Sequence, residues 1–237
     1  MTVPAIGLRE RKKLATRERI YETAWRLFTE RGFERVTVAD VARESQVALA
    51  TVFNYFPSKE ELFFGRLEEF GARLVDAVAV RSDGESLLDV FRNYLGATGG
   101  LMARVEAGDA EALDQVRMVN RLIADSEVLR VHERLTLART ADAIAELLAA
   151  DSKRPTDRVR AQAVANALMG VHRALLDHAR QRILSDDDPT GLAHDLRSAS
   201  NDAFTLLERG IGEFGRRSSR AGPRSSRVDR PARTARR

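Results

Sequence analysis

The 237-residue chain is 43% hydrophobic and 31% charged, enough for one or two domains with a sizeable core, and its lack of cysteine excludes disulfides, cysteine zinc sites and thiol nucleophiles. No apolar run approaches the roughly 18 residues of a membrane span, and Met1–Gly7 is too short and too soon followed by charge for a signal peptide, so a cytoplasmic protein with no membrane partner is expected. The net charge of +4 is uneven: residues 1–66 hold 12 Lys and Arg against 9 Asp and Glu, residues 67–215 hold 18 against 25, and residues 216–237 hold 9 against 1, so the basic ends and not the acidic body suit a polyanionic partner.

Strand signals are nearly absent, and the ordered chain is expected to be all-α, with about nine helices. The first helix is predicted from about Thr16 to Arg31, with Ile20, Ala24, Leu27 and Phe28 on one stripe. Gly32 follows as a C′ residue able to adopt a left-handed conformation, and Phe33 packs back on Phe28 as in a Schellman ending. Thr37 with Asp40 three residues on reads as a capping box, and Val36 and Val41 as its hydrophobic staple. That second helix ends near Ser45. A turn at Gln46-Val47 leads to a third helix, Ala48 to about Phe56. Ser58 and Glu61 form another capping box, opening a fourth helix that carries Leu62, Phe63, Leu67, Phe70 and Leu74. Further helices are placed near 86–107, 110–124, 127–150, 156–183 and 189–214. Gly99-Gly100 interrupts the first of these, Thr156 and Pro189 mark starts, and Asp186 to Asp188 mark a loop. From Arg216 the chain is Arg, Ser, Pro and Gly without apolar periodicity and is expected to be disordered.

Two short helices joined by a tight turn and packed on a preceding helix make a helix-turn-helix, whose second helix enters the major groove. Here that helix is Ala48–Phe56. Ala48, Leu49, Ala50, Thr51 and Asn54 are its outward positions. The small side chains allow close approach to base edges, Thr51 offers a hydroxyl or methyl, and Asn54 an amide. Val41, Val52, Phe53 and Phe56 are expected in the core, with Phe53 also among the DNA-binding positions of this helix. The helix starts at Thr37-Val38 and Ser58 present N–H groups to phosphates. Lys59 adds charge at the second start, and Lys12, Lys13 and Arg17 add more from the N-terminal arm.

The stretch from Thr37 to Leu62, TVADVARESQVALATVFNYFPSKEEL, resembles the DNA-binding signature of the TetR family, and Leu27 to Phe33, LFTERGF, resembles that family's first-helix ending. The resemblance implies an N-terminal three-helix DNA-binding domain and a larger helical domain that dimerises and binds an effector. It divides the chain into a basic arm (1–15), a helix-turn-helix domain (16–64), an effector-binding and dimerisation domain (65–215) and an Arg-rich tail (216–237). Three positions depart from the pattern. Gln46 stands where a glycine is usual, Ala48 where a serine cap is common, and Phe53 where a tyrosine is common, so a phosphate contact from that hydroxyl passes to Tyr55.

The helix at 156–183 is rich in small and apolar residues, and both it and the next carry stripes wider than one contact face needs. In the resembled family these helices form a four-helix interface with their copies. Val164, Leu168, Leu175, Leu176, Leu196, Ala203, Phe204 and Leu207 are the expected dimerisation residues. A twofold dimer also places two recognition helices about 34–36 Å apart, on successive major-groove faces of a palindrome. An effector pocket among residues 86–183 would be lined by Phe91, Tyr94, Leu95, Met102, Met118, Leu122 and His172, although Met and aromatic stripes also fit plain core. The stretch Arg117 to Arg130, RMVNRLIADSEVLR, resembles the C-terminal domain of the mycofactocin-locus regulators of the TetR family, which implies an acyl-CoA-like or other hydrophobic effector.

Other classes compete with a ligand-responsive repressor. His132-Glu133 opens like the zinc motif H-E-x-x-H, but Thr136 fills the second histidine position. His172 and His178 are six residues apart, a poor spacing for one helical face. No nucleophile elbow, Walker loop or dinucleotide fingerprint is present, so neither catalysis nor a cofactor or metal is expected. The arginines of the tail allow a nonspecific or architectural DNA-binding protein. A helix-turn-helix also leaves the sign of regulation open, so an activator competes as well.

Overall fold

The computed structural model of the chain describes residues 7–82, 85–97, 104–105, 107–150, 155–185 and 191–210. Among these residues there is no strand, and the helices are α1 (Leu8–Arg31), α2 (Val38–Glu44), α3 (Leu49–Tyr55), α4 (Lys59–Ala79), α5 (Leu87–Gly96), α6 (Ala110–Asp125), α7 (Glu127–Ala149), α8 (Pro155–Leu184) and α9 (Leu192–Arg209). No described helix is long and apolar enough to cross a membrane. Met102, Gly99, Gly100, Asp186 to Pro189 and the tail 216–237 lie outside the described residues.

Two boundaries differ from expectation. Helix α1 begins at Leu8, not near Thr16. Residues 8–15 are Leu, Arg, Glu, Lys and Ala, all good helix formers, so the basic arm continues the helix. Helix α5 ends at Gly96, well short of 107.

The local stop and start signals otherwise work as read. Thr37 Oγ1 accepts from the Asp40 N–H at 3.1 Å and Asp40 Oδ2 accepts from the Thr37 N–H at 3.0 Å, which is the reciprocal capping box. These bonds from Thr37, with a further one from Arg43, hold the half-buried Asp40 carboxyl down at about 2. Val36 and Val41 are both buried beside it. Ser58 Oγ accepts from the Glu61 N–H at 3.1 Å and starts α4, a one-sided cap where the sequence pattern led to a reciprocal box. Gly32 has φ 82° and ψ 151°, a region only glycine enters freely, but outside the left-handed helical well of a Schellman ending. Phe33 still folds back on Phe28, ring centroids 5.3 Å apart.

Two large hydrophobic clusters organise the chain. The first joins α1 to α4 through Ile20, Leu27, Phe28, Val41, Val52, Phe56 and Phe63, and extends to Ile123 and Leu129 of α6 and α7. The second joins α4, α5, α7, α8 and α9 through Leu74, Phe91, Ile144, Leu168 and Phe204. Helix α4 contributes to both. It packs on α7 along a seam where Phe64 stacks on His132 (5.3 Å, 14°) and Gly71 faces Thr140. A Cβ placed on Gly71 would lie 2.5 Å from Thr140 Oγ1, so only glycine permits this approach. Further along α7 and α8, Glu133 and Arg180 form a largely buried ion pair at 2.6 Å, and Arg180 Nε also donates to Asn120 Oδ1 at 3.3 Å.

Gly71→Ala is therefore expected to destabilise the protein by ~1–3 kcal/mol through overpacking, and Thr140→Ala to restore most of that loss in the double variant. Equal urea midpoints for Gly71→Ala and wild type would show that the seam relaxes freely.

Candidate nucleic-acid interface

Helix α3 is only seven residues long, and Ala48 supplies no side-chain cap. Its position is set by Val52 and Phe56, 0% and 2% exposed, which anchor one side in the first cluster. Such buried side chains each contribute ~1.5–3 kcal/mol. That anchoring turns the other side outward. Ala48, Leu49, Ala50 and Asn54 are exposed, and Thr51 and Tyr55 are half-buried. Phe53, expected in the core, is instead 45% exposed. It follows Val52 by one residue, a rotation of about 100°, and so leaves the buried stripe.

The turn before α3 holds Gln46 at φ 55°, the only described non-glycine residue with positive φ. The Val47 N–H donates to Ala42 O at 3.0 Å across it. Where the family pattern has glycine, this chain thus holds a larger residue in the left-handed conformation. Gln46→Gly is expected to stabilise the fold by up to ~1 kcal/mol, measured as a raised thermal midpoint. A lower midpoint would mean that the Gln46 side chain stabilises the turn.

The expected phosphate anchors divide into two groups. Lys12 and Lys13 are exposed on the first turns of α1, together with Arg9, Arg11 and Arg19. Arg17 pairs with Glu69 of α4 and lies 4.9 Å over the Phe56 ring. Lys59 sits 4.1 Å over the Phe33 ring, and burial lowers its pKa. Both of these cations brace the domain internally. Thr37 spends its hydroxyl on the capping box, and Val38 is half-buried against the first cluster.

The residues expected around an effector are only partly brought together. Phe91 is fully buried in the second cluster, with Tyr94 and Leu95 packed against it. Phe70 lies 4.9 Å from both the Tyr94 ring and the His172 ring, and the Tyr94 hydroxyl donates to Phe70 O at 3.2 Å. His172 is buried and its Nδ1 has no hydrogen-bond partner. Leu122 instead packs on the first cluster, and Met118 is 37% exposed. The last turns of α6 set Val119, Leu122 and Ile123 against the first cluster, while Val116 packs with Ile183 and Leu192, a division that periodicity alone does not reveal. A shallow groove at that junction is lined by Arg31, Phe33, Glu34, Arg35, Leu122 and Ser126. Beside it Ser126 Oγ, the cap of α7, donates to Glu34 Oε1 at 2.9 Å.

Of the expected dimerisation residues, Leu168 and Phe204 are 2% and 0% exposed and belong to the core of the single chain, so they have no surface for a second copy. Leu175, Leu176, Ala203 and Leu207 are partly buried against the same core, and Leu196 against a smaller one with Ile183 and Leu192. Val164 is 45% exposed. Ala163, Ala167, Gly170 and Ala174 are exposed beside it on α8. They are small residues spaced by four, three and four, a pattern visible in the sequence.

Burial pushes the His172 pKa down to about 4. Between that value and the ordinary 6.5 the unfolded chain binds the extra proton, so stability falls as pH drops through this window. The slope is ~1.4 kcal/mol per pH unit at most. His172→Gln is expected to flatten the decline of the urea midpoint between pH 6.5 and 4.5, and parallel wild-type and variant curves would contradict it.

Residues 20–65 match the family described as bacterial regulatory proteins, tetR family, and residues 96–212 match the MftR C-terminal domain. The chain is 33% identical over 108 residues to the HTH-type transcriptional regulator TcmR of Streptomyces glaucescens, covering 46% of each protein, so it spans less than half of that relative. It is 26% identical over 193 residues to the putative mycofactocin biosynthesis transcriptional regulator MftR of Mycobacterium tuberculosis, covering 81% of this chain and 94% of that protein. Superposition on FadR of Thermus thermophilus, a TetR-family transcriptional repressor, gives a TM-score of 0.43 at 24% identity over 87% of this chain and 99% of the other, too loose to transfer any residue or ligand correspondence. The chain belongs to the TetR family of transcriptional regulators. Within that family its C-terminal domain is of the MftR type.

Proposed function

We propose that this protein is a ligand-responsive transcriptional repressor that binds a palindromic operator as a homodimer and leaves it when a small hydrophobic effector binds. The observation that carries the DNA-binding part is the two-sidedness of α3. Val52 and Phe56 hold one side rigidly while Leu49, Ala50, Phe53 and Asn54 stand outward, and the first turns of α1 in the same domain expose Arg9, Arg11, Lys12 and Lys13. That arrangement suits a helix laid in the major groove with cations on the flanking phosphates.

Dimerisation is supported by the exposed Val164 and the small residues Ala163, Ala167, Gly170 and Ala174 of α8, which allow a second helix to approach closely. The effector region is supported by the Phe70, Tyr94 and His172 group, where Phe70 packs on both other rings and the His172 Nδ1 is unpaired, between α4, α5 and α8. A hydrophobic ligand of acyl-CoA-like chemistry seated there would press on α4. To release DNA it must bind the DNA-free state more tightly than the bound one. Equal effector affinity for free and operator-bound protein would overturn this coupling.

Selection from a random duplex library at physiological salt tests the reading, using the full chain and residues 1–215. The expected result is one palindrome with half-sites a helical turn apart from both proteins. The shorter protein should show a shallower fall of log K with log salt, by ~0.9 in slope for every phosphate that the tail neutralises. No enriched site from residues 1–215, with binding retained by the full chain, would assign DNA binding to the arginine tail instead. A reporter carrying the selected site then gives the sign of regulation.

A further inference from the structure

The groove-facing side of α3 has an unusual chemistry. Its two largest outward side chains are apolar: Leu49 and Phe53, one helical turn apart and each 45% exposed. Around them stand Ala50 and Asn54, exposed, and Thr51, half-buried. From Ala48 to Tyr55 there is no Arg, Lys, Gln, Asp or Glu. Leu49 and Phe53 are not recruited into the first cluster, whose members here are Val52, Phe56 and the partly buried Tyr55.

The major groove offers few matches for such a face. Guanine presents two acceptors, N7 and O6, and is read by the paired donors of Arg or Lys. Cytosine presents an amino donor that Asp or Glu accepts. Helix α3 has none of these groups. Adenine presents an acceptor and a donor side by side, which an Asn amide matches with two bonds, and thymine presents the groove's apolar group, its C5 methyl. Asn54 supplies the one amide. Leu49 and Phe53 supply apolar area that only methyl groups can cover.

We infer that α3 reads its half-site through thymine methyl groups held by Leu49 and Phe53, with Asn54 on an adjacent adenine, so that the base pairs under this helix are A·T. This rests on the proposal that α3 enters the major groove. It adds that α3 makes no paired-donor contact to guanine, and that any strong guanine preference in the operator arises from other elements.

The experiment uses the full chain and the selected duplex, with thymines in the half-site replaced one at a time by deoxyuridine, which lacks only the methyl. Binding is expected to weaken about fourfold for each methyl that touches Leu49 or Phe53, the equivalent of one buried carbon. Leu49→Ala and Phe53→Ala, both at exposed positions and checked by circular dichroism, are expected to lose that discrimination, each at its own thymine. The selected half-site is expected to carry A·T pairs under α3, and a G·C pair there whose guanine, replaced by 7-deazaguanine, weakens binding overturns the inference. Equal binding of thymine and deoxyuridine duplexes overturns the inference and leaves specific DNA binding intact. Discrimination that survives in both alanine variants assigns the methyls to another element and overturns it as well. Failure to select any site from the library removes the DNA-reading proposal and this inference together.

Discussion

Helix α4 belongs to two hydrophobic cores at once, and the rest of the structure depends on that sharing. Its first turns place Leu62, Phe63 and Phe64 among the side chains of α1 to α3, and its last turns place Leu74 and Val78 among those of α5, α7, α8 and α9. A helix of this length spans about 30 Å. It cannot tilt at one end without disturbing close-packed side chains at the other. Arg17 and Arg66 tie the middle of α4 back to α1 through Glu69 and Glu18, with Arg66 also lying over the Tyr21 ring. Such solvent-accessible pairs contribute little stability alone. They orient the helix, while the cores hold it.

The seam between α4 and α7 shows where such a joint can give. Glu68 Oε1, His132 Nε2 and Thr136 Oγ1 are all buried there without hydrogen-bond partners, and the first two lie 3.8 Å apart. Burial raises the Glu68 pKa and lowers that of His132, so the pair is held back from becoming a full ion pair. A seam with unpaired polar atoms gains less from its present register than an apolar or fully bonded one. One turn further along, Gly71 against Thr140 is tight and fully packed. The two features together describe a firm contact next to a loose one, on the helix that joins the DNA-reading unit to the body. The Ser126–Glu34 hydrogen bond makes a second, independent connection between them.

Legibility from the sequence follows the range of the interactions. The capping box at Thr37 and Asp40, the cap at Ser58 and the Phe28–Phe33 closure are legible because each involves residues within five positions of one another. The helix-turn-helix is legible for the same reason, and the family pattern gives it a role. Long-range choices are not. An apolar stripe announces that a helix is buried, not against what, so periodicity puts Leu122 beside Phe91 while the fold sets it against the other core. Leu168 and Phe204 read as surface for a partner because the stripes of α8 and α9 look too wide for one contact. The fold uses that width, since α8 packs on α7 and α9 and both helices also reach α5. For Phe53 the difference is one helical position, which is enough to move an aromatic ring from the core to the groove side.

The short, uncapped recognition helix borrows its shape. Seven residues without a side-chain cap do not sustain a helix in water, so α3 exists because Val52 and Phe56 are gripped from behind. Loosening that grip would fray α3 before the larger domain noticed, since local openings cost less than global unfolding. In a genetic screen, lesions at Ile20, Phe28 or Phe63, which support those two anchors from the same cluster, would then pass for damaged DNA contacts although none of the three reaches the surface.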